Sequence, residues 1–278
     1  MFEALLAAAR ELYRHGPVPL LFADAAADYL IDNWLAHARR AGVPGALLVA
    51  LDTTVAARPP VPGCALVHVP FAGDFAELWL LRLRVFSLLA AAGIDLVHSD
   101  LDAVWLADAR AECFADASLD LVFSQGTFHP PAAQALWGFV LCCGLFAARA
   151  GPAAERFLAA VAARAAVDRD DQAAVNLVLA ESDFSWSPDP AARYELRIGS
   201  RALVCHRTLL RGAGAGLGVR IGLLPYHRVP RLVTASPGAL VKHPFSKREP
   251  AVRIAALRRS GVWDSPQPSP AGAGSAPS

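Results

Sequence analysis

The chain has 278 residues, 55% of them hydrophobic and 18% charged, enough to bury one large core, and a single domain with an appendage is expected. A formal net charge of +1 gives no global pull toward nucleic acid or acidic membranes, so any anion site must be local. Five cysteines, two of them adjacent at Cys142 and Cys143, argue against a disulfide framework and for reduced thiols in a cytoplasmic setting.

Residues 1–15 read as an amphipathic helix, because Glu3, Arg10, Glu11 and Arg14 interrupt any signal-peptide core. Other apolar runs are too short to span a bilayer, although peripheral membrane contact through a surface patch stays open. The run VPLLFA at 18–23 predicts a buried strand ending at Asp24, 25–41 a helix, and 46–51 a second strand. A proline-rich loop at 58–63 leads to a third strand at 65–69. The nearly all-apolar stretch 75–92 predicts a helix packed on a sheet and stopped by Gly93. A strand at 94–98 then ends in Ser99-Asp100-Leu101-Asp102, which places two carboxylates where open α/β sheets hold their ligands.

Further along, 120–124 and 138–147 predict strands, and 153–164 and 169–180 predict helices. The second of these opens on Asp168, Asp170 and Asp171, near its positive end. The segment 182–200 reads as irregular and aromatic, and RGAGAGLG at 211–218 as a flexible glycine loop. Residues 219–224 return to the sheet, 252–260 form a basic helix, and 264–278 form a disordered Pro/Ala/Gly/Ser tail. The expected fold is α/β, a mostly parallel central sheet flanked by helices, with one domain over 1–263.

In an extended chain, side chains at i and i+2 share a face, so Asp100 and Asp102 can bracket one hard cation. Two facing carboxylates raise each other's pKa unless a cation neutralises them, and an oxygen-rich site suits Mg2+ or Mn2+. Asp24 stands at the end of the first strand, where its carboxylate can cap the helix that follows. Arg82 and Arg84 punctuate an otherwise apolar helix. A buried arginine needs an anion, and Arg84 is taken as the one that reaches a bound anion or the carboxylate pair, a structural ion pair being the alternative.

The block GIDLVHSDLDAVWL at 93–106 resembles the D-x-D region of the nucleotide-diphospho-sugar transferases related to plant rhamnogalacturonan xylosyltransferases and arabinosyltransferases. LCCGLFAAR at 141–149, DQAAVN at 171–176, and VKH at 241–243 through LRRSGVW at 257–263 extend the likeness over roughly 20–263. Cys142 and Cys143 depart from the Asn, Thr or Ser usual there. The chain is short at both ends, as in a minimal catalytic domain without stem or anchor. The resemblance implies a GT-A fold and a retaining glycosyltransferase using Mn2+ or Mg2+. It implies that Asp100, Asp102 and His243 bind the metal, and that Asp100, Leu101 and Asp102 contact the donor. Lys247 is expected on the diphosphate, Asp171 and Gln172 near the anomeric carbon, Arg84 at the donor or the D-x-D carboxylates, and, by analogy to the fold, Asp24 where the nucleobase is received, with helix capping as the alternative. The expected partners are a nucleotide-sugar donor, a UDP-sugar first, and a glycan, lipid-linked or protein acceptor, with no nucleic acid. Two readings compete. One is a haloacid-dehalogenase-like phosphatase with Asp100 as nucleophile, the other a binding module that keeps the fold without turnover.

Overall fold

The computed structural model describes residues 2–232 and 236–264. Except for Asp264, the expected tail lies outside the described residues. The first part of the chain alternates helix and strand: α1 (Phe2–Tyr13), β1 (Val18–Ala23), α2 (Asp28–Arg40), β2 (Ala46–Ala50), α3 (Thr53–Ala56), β3 (Cys64–His68), α4 (Phe75–Ala91) and β4 (Leu96–Ser99). A two-residue strand β5 (Val104–Trp105) and helix α5 (Ala109–Cys113) follow, then β6 (Leu121–Gln125), α6 (Pro131–Trp137), β7 (Leu141–Ala148), α7 (Pro152–Asp168) and α8 (Asp171–Ala180). The rest is mainly strand: β8 (Ser185–Ser187), β9 (Arg193–Ile198), β10 (Arg201–His206), β11 (Leu210–Gly214), β12 (Val219–Leu223) and β13 (Val241–Lys242), closed by α9 (Pro250–Arg259).

The main sheet has nine strands in the order β3-β2-β1-β4-β7-β6-β12-β11-β8, and all run the same way except β7 and β11. Its central strands are apolar on both faces because helices cover both. One layer packs α1, α4, α7 and α8 through residues such as Leu5, Phe86, Phe157 and Val175. The opposite layer packs α2, α3, α5 and α9 through Trp34, Val55, Cys113 and Leu257.

Local chemistry sets the boundaries. Asp74 and Glu77 form a capping box that starts α4, and Gly93, at φ +74°, lets the chain turn after it. Arg169 sits at φ +56° between α7 and α8, so the expected helix over 169–180 begins at Asp171, capped by Asp170. The strand expected over 138–147 begins only at Leu141, because Gly138 in the left-handed region closes α6.

Two expectations fail here. The segment 182–200 is ordered: β8 joins the main sheet beside β11, and β9 pairs with β10 in a separate hairpin. The glycine run 211–218 belongs to a hairpin in which Arg211 pairs with Gly222 and Gly214 with Val219. A Cβ on Gly212 would lie 2.5 Å from Phe184 and 2.8 Å from Trp186, so that glycine makes room for rings.

Candidate active site

The parallel strands β1, β2 and β4 deliver Asp24, Leu51 and Asp100 to one edge of the sheet. Between β4 and β5 the chain turns: the Ala103 N–H donates to the Asp100 carbonyl at 3.0 Å, and the Asp100 N–H to the Gly144 carbonyl at 2.7 Å. The Ser99 hydroxyl accepts the indole N–H of Trp34 at 3.2 Å and of Trp105 at 3.1 Å, and Trp34 also donates to the Ala103 carbonyl. Asp100 and Asp102 therefore converge through a pinned turn, and not through the extended i, i+2 geometry expected from the sequence.

The third member arrives from far along the chain. β13 pairs antiparallel with β5, Lys242 opposite Val104, so the next residue, His243, falls beside the turn. Ligand atoms of Asp100, Asp102 and His243 lie within 4.8 Å of one another, and His243 Nε2 is 3.3 Å from Asp102 Oδ1. Gly144 on β7 leaves the needed space: a Cβ there would lie 2.3 Å from His243 Cε1 and 2.6 Å from Asp100 Oδ2. Two carboxylates and one imidazole around a cradle that one methyl group would fill suit a divalent cation, and the hard oxygens suit magnesium or manganese.

Arg82 joins this centre to α8. Its guanidinium is 3.5 Å from Asp100 and 3.6 Å from Asp171, and it donates to the Cys143 carbonyl at 3.2 Å. It also meets His98 Nε2 at 2.6 Å, while His98 Nδ1 lies 3.1 Å from the Leu20 carbonyl. Burial, and then Arg82, lower the His98 pKa to about 4. The ring is therefore neutral, donating through Nδ1 to Leu20 and accepting from Arg82.

The carboxylates respond in opposite directions. Burial pushes Asp100 upward, but Arg82 outweighs it, with His243 assisting, and the carboxyl is held well below its ordinary range. Asp102 is likewise depressed against its burial by His243, with Arg253 assisting at 3.1 Å. At Asp171 burial wins over Arg82, and the pKa rises to about 6. His243 is raised to about 9, its bond to Asp102 prevailing over burial and Arg231. Cys142 accepts the Gly144 N–H at 3.4 Å. Its thiol falls to about 7 because Arg231 and His243 outweigh its burial.

Beside the carboxylates opens a cavity of about 240 Å³ lined by Asp24, Leu101, Trp79, Arg82, Arg248 and Arg253 among others. Asp24 thus borders it and also accepts the Ala27 N–H. Arg84 does not come near: two positions from Arg82 along α4, it faces solvent beside Phe71 and Glu77, where only Arg82 turns inward. Lys247 is exposed and outside the cavity lining, which instead includes Arg248 and Arg253. Gln172 Nε2 donates to the His129 carbonyl at 2.7 Å. Asp170 caps α8, whereas Asp168 pairs with Arg164 at the end of α7. Asn176 clamps β7, accepting the Leu141 N–H at 2.8 Å and donating to its carbonyl at 2.9 Å. Sequence reasoning singled out neither Arg253 nor Gly144 for a site role. Arg253 sits four residues into α9, and Gly144 occupies a buried strand where a side chain would be usual.

A mixed α/β sheet here carries a carboxylate pair at a strand end, a histidine closing on it and arginines around an adjoining cleft, so ligand atoms suited to a cation stand beside basic groups suited to an anion. The chain belongs to the nucleotide-diphospho-sugar transferase family, a family of glycosyltransferases, whose model matches residues 68–252. Among solved structures it is similar to the glycosyltransferase GlyE of Streptococcus pneumoniae TIGR4, at 11% identity and TM-score 0.49, over 88% of this chain and 60% of that one. It is also similar to the galactosyltransferase LgtC in complex with donor and acceptor sugar analogs, at 10% identity and TM-score 0.48, over 90% of this chain and 97% of that one. The chain thus spans less than two thirds of the GlyE chain. No curated protein matches it in sequence. Family membership sets the phosphatase reading aside.

Proposed function

We propose that the protein transfers a sugar from a nucleoside-diphosphate donor, a UDP-sugar first, to a hydroxyl of a glycan, lipid-linked or protein acceptor, with retention of configuration. The observation that carries this reading is the convergence of Asp100, Asp102 and His243 over the cradle left by Gly144. A divalent magnesium or manganese held by these three residues would neutralise charge on the departing diphosphate.

The chain's own groups do the rest. Arg253 and Arg248, both on the cavity wall, meet the diphosphate oxygens, the role first given to Lys247. Asp24 and the aromatic Trp79 bound the nucleoside end. Asp171, outside the cavity lining but joined to it through Arg82 and ionised above about pH 6, stabilises positive charge as the glycosidic bond breaks. Gln172, anchored at His129, positions the same region. Retention follows from the family resemblance. A single catalytic domain over 1–263 and a cytoplasmic setting are part of the same reading. The five cysteines are free thiols, and among the described residues no helix is long and apolar enough to cross a membrane.

Calorimetric titration of UDP with and without Mn2+, followed by hydrolysis assays over a panel of UDP-sugars, tests this. Metal-dependent binding with slow sugar release is expected. Metal-independent binding would overturn the site, and binding without any turnover would leave the module reading in its place.

A further inference from the structure

A second cavity, of about 350 Å³, opens where β8 and the β9–β10 hairpin meet the segment joining α6 to β7. Its wall is aromatic. Trp186 is the hub, with the rings of Trp137, Phe139 and Phe184 at 5.9, 5.4 and 4.9 Å, all steeply inclined to it. Two glycines create the space: Gly212 admits Phe184 and Trp186, and a Cβ on Gly138 would strike Val204 at 2.3 Å. Polar groups stand among the rings. Ser185 and Arg193 are exposed, and His206 is buried, its pKa lowered by burial and then by Arg193. The indole N–H of Trp186 is buried with no acceptor. Trp137 and Trp186 themselves are half-buried and present ring surface to the cavity.

A purely apolar ligand would make no use of the Ser185 hydroxyl and the Arg193 guanidinium at the rim, and a compact anion would find one guanidinium and a wall of rings. A pyranose matches both features. Its C–H face carries partial positive charge that complements the negative face of an aromatic ring, and its hydroxyls pair with donors at the rim. We propose that this cavity is a saccharide-binding subsite that takes a sugar unit of the acceptor glycan, an assignment of occupant that rests on the transferase reading above. Phe139 lies just before β7, the strand that carries Gly144 at the metal cradle, which puts the cavity roughly 15 Å along that strand from the reacting centre. A sugar held there is remote from the hydroxyl that reacts, so the subsite contributes affinity and chain-length preference.

Titration with methyl β-D-glucopyranoside and methyl β-D-galactopyranoside, followed by the indole N–H resonances of the intact protein, tests the proposal. Assignment comes from Trp137→Phe and Trp186→Phe. One of the two glycosides is expected to move the Trp137 and Trp186 signals, and Trp186→Ala to weaken that binding about tenfold. Because Trp186 also packs against Phe184, the exposed Arg193→Ala, checked for a native thermal midpoint, provides a second variant expected to weaken binding by a few fold. Movement confined to Trp79, or no movement at either Trp137 or Trp186 with both glycosides, overturns the subsite. UDP titration with Mn2+ reports separately on the donor site, so failure of the transferase reading is distinguishable from failure of this one.

Discussion

Asp100 and Asp171 lie on either side of one arginine, yet their chemistry diverges. Arg82 is about equally far from both, at 3.5 and 3.6 Å. Asp100 has further support from His243 and stays ionised far below neutral pH, whereas Asp171 sits only 5% exposed at the start of α8 and rises to about 6. Proximity to a cation alone therefore does not set the state of a carboxylate. The number of additional partners weighed against desolvation does. At the turn this yields a permanent anion suited to hold a metal, and at α8 an anion that appears only as the pH approaches neutrality.

The largest effect is expected from Asp102→Ala, which removes one ligand from the permanently charged side. Sugar transfer should fall about a hundredfold or more and Mn2+-dependent UDP binding should vanish, while circular dichroism keeps the native signal. Unchanged UDP-sugar hydrolysis in that variant would sink the assignment. Gly144→Ala leaves every charge in place and fills the cradle. Metal affinity, followed by Mn2+ titration, should drop about 10- to 100-fold through displacement of His243 and Asp100.

Asp171→Asn probes the other side. Between the ordinary carboxyl value of about 4 and its folded value of about 6, the native protein holds a proton that the unfolded chain has released, so this group's contribution to stability declines as the pH rises through that window. The thermal midpoint of Asp171→Asn relative to the parent should therefore climb from pH 4 to 6, even as transfer at neutral pH is lost. Parent activity should fall as the pH drops below about 6, and a profile flat to pH 5 would remove Asp171 from the reaction. The smallest contrast lies in the C-terminal segment. Arg253→Ala should raise the KM for the donor about tenfold and Lys247→Ala by no more than about twofold, a difference that steady-state kinetics resolve.

How much of this could be read beforehand depended on what each residue's neighbours reveal. The strand before Asp100, the apolar run after Asp102 and the acidic start of α8 are local patterns, and the structure places them as expected. Arg82 and Arg84 differ only in which way α4 faces, and a helix apolar nearly all round gives no periodicity to decide it. Lys247 and Arg253 are both basic residues in a short span, and only the docking of α9 selects between them. The 211–218 glycines misled most, because a glycine that admits a neighbouring ring looks in sequence like one that loosens a loop. Gly212 is legible only once Phe184 and Trp186 are known to lie against it.

The two-residue ladder between β5 and β13 has a consequence for the order of assembly. Asp100 and Asp102 emerge in the first half of the chain, while His243 is brought to them only by a strand near the end of the described residues. A nascent chain that has already folded β1 to β7 would carry a carboxylate pair without its third partner, and arginines from α9 would not yet be present to neutralise it. On the proposed reading, cation binding waits for the strand that carries His243, and a protein truncated before Val241 is expected to keep the nine strands of the main sheet and lose that binding.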